Sequence, residues 1–136
     1  MKTTLTTLFL TSYFSLIAQN KIKVNQYCEN SKAPFDVILV KERKIRYQII
    51  GYSEMKYGKW NGQYAVECIL PDYSAKSNKS EIRGIATRLK KLNPKFTKFT
   101  FFKSCEVYRI YISSTYPTGE RENKIKDGYL GEFEIH

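Results

Sequence analysis

The stretch NKSEIRGIATRLKKLNP, Asn78 to Pro94, decides the fold. Within it Ile82, Ile85, Ala86, Leu89 and Leu92 recur at helical spacing and form one apolar stripe. Asn78 followed three residues later by Glu81 is a capping-box start. Asn93-Pro94 is a stop, because Asn tolerates the left-handed conformation and Pro cannot continue the ladder. The spacing predicts a helix over 79–92 with one apolar face. A helix of that kind needs an apolar surface to lie on, and the flanking segments supply strands.

Downstream, Phe96, Thr97, Phe99, Thr100, Phe101 and Phe102 read as a strand. In it Phe99 and Phe101 share one face, with Phe96 and Phe102 on the other. Ser104-Cys105-Glu106 reads as a turn. Val107 to Ser113 alternates Val107, Arg109 and Tyr111 against Tyr108, Ile110 and Ile112, the period of a strand. Tyr116 to Gly128 is polar and reads as a long exposed loop. Tyr129 to Ile135 supplies a last strand, with Leu130, Glu132 and Glu134 opposite Tyr129, Gly131, Phe133 and Ile135. Upstream, Phe35 to Val40 is a β-branched apolar run, and Lys41 to Lys44 is a turn or a charged stretch of the same ribbon. Ile45, Tyr47 and Ile49 alternate with polar residues. Asn61-Gly62 is a hairpin signal, and Gln63 to Leu70 is a strand stopped by Pro71. The expectation is an α+β domain, with one main helix at about 79–92 packed on a mostly antiparallel sheet of about five to six strands.

Residues 81–133 also resemble small bacterial exported α+β domains to which no function is attached. In those, a helix ending near Asn-Pro leads into an aromatic strand, a hairpin and a terminal Leu-Gly strand. Here these parts are Glu81 to Pro94, Phe96 to Phe102, Val107 to Ser113 and Leu130-Gly131. The resemblance implies a strand-helix-strand-strand-strand order and no activity.

The amino terminus sets a compartment. Met1-Lys2 precedes an apolar stretch from Leu5 to Ile17 that ends at the small residue Ala18, before Gln19-Asn20-Lys21. This is the layout of a secretory signal. The stretch is short and hydroxyl-rich for spanning about 30 Å of hydrocarbon. The organisation is then a signal peptide over 1–18, a linker or edge segment over 19–34 and one domain over 35–136. The mature protein is expected in the periplasm or outside the cell, not integral to the membrane. Three cysteines remain there, and an odd count suggests one disulfide. Cys68 shares a strand face with Val66 and Leu70 and reads as a core residue. Cys28 and Cys105 lie in polar surroundings and are the expected pair.

Charge is localised. Lys76, Lys79, Arg83, Arg88, Lys90, Lys91, Lys95, Lys98 and Lys103 stand against Glu81 alone, in a chain of net charge +10. Such a field attracts anions. The bland reading is a solvated helix face, since lysine outnumbers arginine and specific anion clamps favour arginine. Lys79, Arg83, Lys90 and Lys91 are the candidate anion-binding residues. A second candidate contact is the loop carrying Lys56, Tyr57, Lys59 and Trp60, the last being the single tryptophan. Its bland reading is a hairpin whose Trp folds back onto the sheet.

Several functions lose support. The single histidine is His136, no Cys-x-x-Cys occurs and no Gly-rich phosphate loop appears, so no cofactor or metal is expected. Glu67, Asp72, Glu106, Glu132 and Glu134 are available carboxylates, but nothing in their spacing selects a catalytic pair. Aromatics beside lysines could stack on bases, yet a helix-covered sheet needs inner aromatics anyway, and export argues against nucleic acid. The expectation is a non-enzymatic exported binding domain for a protein or an anionic envelope component. Its alternatives are a periplasmic immunity or inhibitor protein against a toxin or hydrolase, and a small exported hydrolase.

Overall fold

The computed structural model describes residues 28, 34–113, 115–117 and 119–136. The expected signal over 1–18, and the 19–34 segment apart from Cys28 and Pro34, lie outside the described residues. Five strands run β1 (Asp36–Val40), β2 (Arg43–Glu54), β3 (Tyr64–Ile69), β4 (Phe96–Phe102) and β5 (Tyr129–Glu134). Three α-helices accompany them: α1 (Lys79–Leu92), α2 (Cys105–Ile112) and α3 (Glu120–Ile125). The strands form one sheet in the order β1-β2-β3-β4-β5, the α+β architecture expected. Three of its four pairings are antiparallel; β3 and β4 are parallel. Parallel neighbours need a crossover, and α1 is that crossover.

The helix α1 forms where its caps say it should. The Asn78 side chain accepts from the backbone N–H of Ser80 and Glu81. Glu81 turns its own carboxylate to Arg43 and to the Tyr73 hydroxyl. Asn93 ends the helix at φ −139° and ψ 83°, not in the left-handed conformation expected, and its N–H donates to the Leu89 and Lys90 carbonyls. Ile82, Ile85, Ala86 and Leu89 are buried. They pack on Ile38, Ile45, Ile49, Val66, Phe99 and Phe101 of the sheet.

The segment Cys105–Ile112 is a helix, not a strand. Its start is capped: the Ser104 hydroxyl accepts from the Val107 N–H. The expected turn at 104–106 is thus an N-cap and first turn. Alternation in 107–112 competes with a helical spacing of Cys105, Tyr108 and Tyr111. Packing decides for the helix, because Tyr108 and Tyr111 both meet the Phe102 ring, with centroids 5.3 and 5.0 Å away. The expected hairpin after β4 is therefore a helical excursion over the other face of the sheet. Within the expected 116–128 loop, α3 forms with Ile125 buried. Gly119 precedes it at φ 89°, and its N–H donates to Glu122. A helix with one buried apolar residue leaves no periodic signal.

Two bulges change the expected faces. The β3–β4 register shifts at Thr97, between the pairs Tyr64–Phe96 and Ala65–Lys98. Phe96 therefore joins Phe99 and Phe101 under α1, while Phe102 alone faces α2. The β4–β5 register shifts again between Phe101 and Phe102. Gly131 sits there at φ 116°, and the Phe133 ring lies 3.3 Å from where a Gly131 Cβ would stand. As a result Leu130, Phe133 and Ile135 all join the α1 core, instead of Leu130 facing away from the other two. One extra residue flips the phase of everything after it.

Cys28 and Cys105 are joined, with Cα atoms 5.6 Å apart. The Arg109 guanidinium donates to the Cys28 carbonyl at 2.7 Å. Cys68 is a buried free thiol, as expected, and burial pushes its pKa up.

A candidate anion cleft between helix α1 and the first hairpin

Most of the charge counted in the sequence has a structural use. Lys79 Nζ donates to the Leu130 carbonyl at 2.8 Å, and Arg83 to the Glu134 carbonyl at 3.2 Å. Both acceptors belong to β5, one edge of the sheet. Arg88 Nε donates to the Leu39 carbonyl of β1, the other edge, at 3.2 Å. Lys90 donates to the Pro94 and Phe96 carbonyls, and Lys103 to those of Pro71 and Tyr73. Lys79, Arg83 and Arg88 thus satisfy edge-strand carbonyls that would otherwise invite another chain to pair. Three of the four candidate residues on this helix, Lys79, Arg83 and Lys90, are held on backbone carbonyls. A carbonyl accepts a hydrogen bond without neutralising the charge, so the positive field persists.

The remaining candidates divide. Trp60 lies 5.1 Å, centroid to centroid, from the His136 ring, with Lys59 Nζ 4.9 Å over it. Lys56 is 3.9 Å from Glu54, and Tyr57 is 89% exposed. The phenylalanines of β4 are all buried, so the sheet offers no exposed β4 phenylalanine for base stacking.

Lys91 belongs to a cleft between α1 and the β1–β2 hairpin. One cavity of about 300 Å³ is lined by Leu39, Val40, Lys41, Gly84, Thr87, Arg88 and Lys91. Three cations and no acid stand around it. A second cavity, of about 240 Å³, shares Val40, Lys41 and Gly84 and continues to Ile45 and Ile85, with the Arg43–Glu81 ion pair, Tyr73, Asn78 and Ser80 around it. Arg88 is preoriented: Nε is fixed on Leu39, and its two terminal nitrogens have no partner among the described residues.

Two features of this cleft run against local preference. Lys41 and Glu42 form the two-residue turn between Val40 and Arg43, both at positive φ (51° and 68°). A type I′ hairpin turn requires that, but usually with Asn and Gly. Non-glycine residues held there cost of order 1–3 kcal/mol each. Gly84 sits inside α1, where glycine costs roughly 0.5–1 kcal/mol relative to alanine. Nothing in the packing demands it, since an added Cβ would meet only Val40 Cγ1, at 3.9 Å. Both Lys41 and Gly84 line both cavities.

The sequence reading missed this cleft. It counted Arg88 as charge but did not single it out, and gave Lys41 and Gly84 no role. The available signals were an isolated glycine in a helical pattern and the charged stretch Lys41 to Lys44 between two β-runs.

The carboxylates are spread over other surfaces. Asp72 holds Arg46 at 2.6 and 3.0 Å, and that hydrogen bond keeps its pKa below the usual carboxylate range. Glu132 pairs with Lys98 at 3.1 Å and raises the ammonium pKa. Glu67 lies against Gly51, where an added Cβ would stand 2.9 Å from its Oε1, and burial raises its pKa. Glu67 and Glu132 share a sheet row with Thr100 between them, about 9–10 Å apart by strand spacing. A further cavity of about 260 Å³ lies between α2, α3 and β5, against Tyr111, Ile125 and Tyr129. No group of three or more metal-ligating side chains stands together among the described residues. No helix among them is long and apolar enough to cross a membrane. Comparison of the chain with protein-family models, curated proteins and solved structures gives no match.

Proposed function

We propose that this is an exported, non-enzymatic binding domain that takes an anionic component of the cell envelope into the cleft between α1 and the β1–β2 hairpin. The observation that carries this reading is that Lys41, Arg88 and Lys91, and no acid, are the charged residues lining one cavity. The lysines act as point charges, and the Arg88 fork offers directional donors. The Cys28–Cys105 pair supports export, because disulfides persist in oxidising compartments. A hydrolase would draw on Glu67 and Glu132, but Glu132 is charge-paired with Lys98, and neither lines this cleft.

Vesicle co-sedimentation tests the reading. The protein should bind vesicles containing phosphatidylglycerol, and not pure phosphatidylcholine. It should leave them near 1 M salt, where the screening length is about 3 Å. A basic residue near an anionic surface contributes about 1 kcal/mol, so Lys41→Gln with Lys91→Gln should weaken binding about ten- to thirty-fold. Undiminished binding by the double variant would refute the cleft as the site. Binding only to an acidic protein, and to no anionic vesicle, would refute the envelope ligand.

A further inference from the structure

Resting on that reading, we infer that the ligand is an anionic amphiphile, and that Gly84 is the saddle over which its apolar part passes. The two cavities differ in chemistry. The one at Lys41, Arg88 and Lys91 has these three cations as its only charged lining residues. The one beyond Gly84 has Val40 and the buried Ile45 and Ile85 among its lining residues, beside Lys41, Tyr73, Asn78 and Ser80, and its Arg43–Glu81 pair is internally neutralised. A small inorganic anion would use only the first. A phosphate- or carboxylate-headed chain would use both: headgroup on the three cations, hydrocarbon along half-buried Val40, over Ile45 and Ile85 beneath it. The passage between them runs past Gly84, the α1 residue common to both cavities.

Glycine makes that passage possible. Any longer side chain at this position projects toward Val40, across the junction. A leucine there would close the second cavity to a chain entering from the cationic end, and would remove none of Lys41, Arg88 and Lys91. Helix propensity favours the replacement, and an added Cβ makes only ordinary contact with Val40. The substitution therefore separates access from stability.

The experiment compares decyl phosphate, below its aggregation concentration, with inorganic phosphate by titration calorimetry on the full chain. The wild-type protein should bind decyl phosphate at least tenfold more tightly than phosphate. Gly84→Leu should bind the two equally, at the wild-type phosphate affinity. Gly84→Ala, which keeps most of the opening, should retain a preference and shows that the helix tolerates a side chain here. Equal binding of both probes by the wild type overturns the amphiphile and leaves the anion reading standing. A preference unchanged in Gly84→Leu overturns the saddle. Failure of both probes to bind overturns the anion reading itself.

Discussion

Replacing Phe101 with alanine should cost about 3–5 kcal/mol of unfolding free energy. The ring is fully buried in the middle strand of the antiparallel-parallel junction, between β3 and β5. It stacks on Phe99 at a centroid distance of 6.0 Å and meets Phe133 at 5.9 Å. Its β5 partner is Gly131, which brings no side chain to the pair. The ring of Phe133 lies across that glycine instead, and Phe101 supports it. Truncation would therefore open a cavity and also undercut the residue that covers the bulge. Native domains are stable by only about 5–15 kcal/mol, so the loss would take a large share. Chemical denaturation should show the midpoint falling with little change in slope. A cost below about 1 kcal/mol, typical of surface substitutions or smaller effects, would mean that this aromatic row is not the core.

Removing the Cys28–Cys105 bond should cost about 2–5 kcal/mol, mainly by freeing the unfolded chain. The bond spans 77 residues of sequence, long enough for a large loop-closure effect. Its structural consequences should be uneven. Cys28 is buried with Ile50, Ile69, Phe102 and Tyr108 in the smaller cluster under α2. The α1 core stands on the opposite face of the sheet. Cys28→Ala with Cys105→Ala should therefore lower the denaturation midpoint and speed amide exchange in α2 more than in α1. Equal protection of both helices in the variant would contradict this division of the core.

The sequence shows α1 clearly because three independent signals coincide there: the stripe, the Asn78 cap and the Asn93-Pro94 stop. The strands are legible from β-branched and aromatic runs. What it hides is set by tertiary contact. The run VYRIYI at 107–112 satisfies a strand period about as well as a helical one. The Ser104 cap, the disulfide at Cys105 and the Phe102 ring choose between them. Propensity yields to packing in such a case. The faces of β4 and β5 are hidden because Thr97 and Leu130 are each an extra residue in a ladder, and a period-two reading cannot see an insertion.

The same limit applies to the site. Composition reveals a positive segment but not where each charge ends. Lys79, Arg83 and Lys90 looked equivalent to Lys91 in the sequence, yet the first three reach strand carbonyls and Lys91 lines a cavity. Lys41 and Gly84 come together only because β1 and β2 form a hairpin beside α1. Their common feature is a local cost, a left-handed lysine and a mid-helix glycine, at one junction. Such costs are tolerated where the surrounding structure over-determines them, and they tend to gather at functional sites.

Anion binding in the cleft between α1 and the β1–β2 hairpin can be read residue by residue in an amide chemical-shift titration with inorganic phosphate. Saturable shifts centred on Lys41, Gly84, Arg88 and Lys91 are expected. Shifts centred on the Lys56–Trp60 loop, or spread without saturation over the surface lysines, would contradict binding in this cleft.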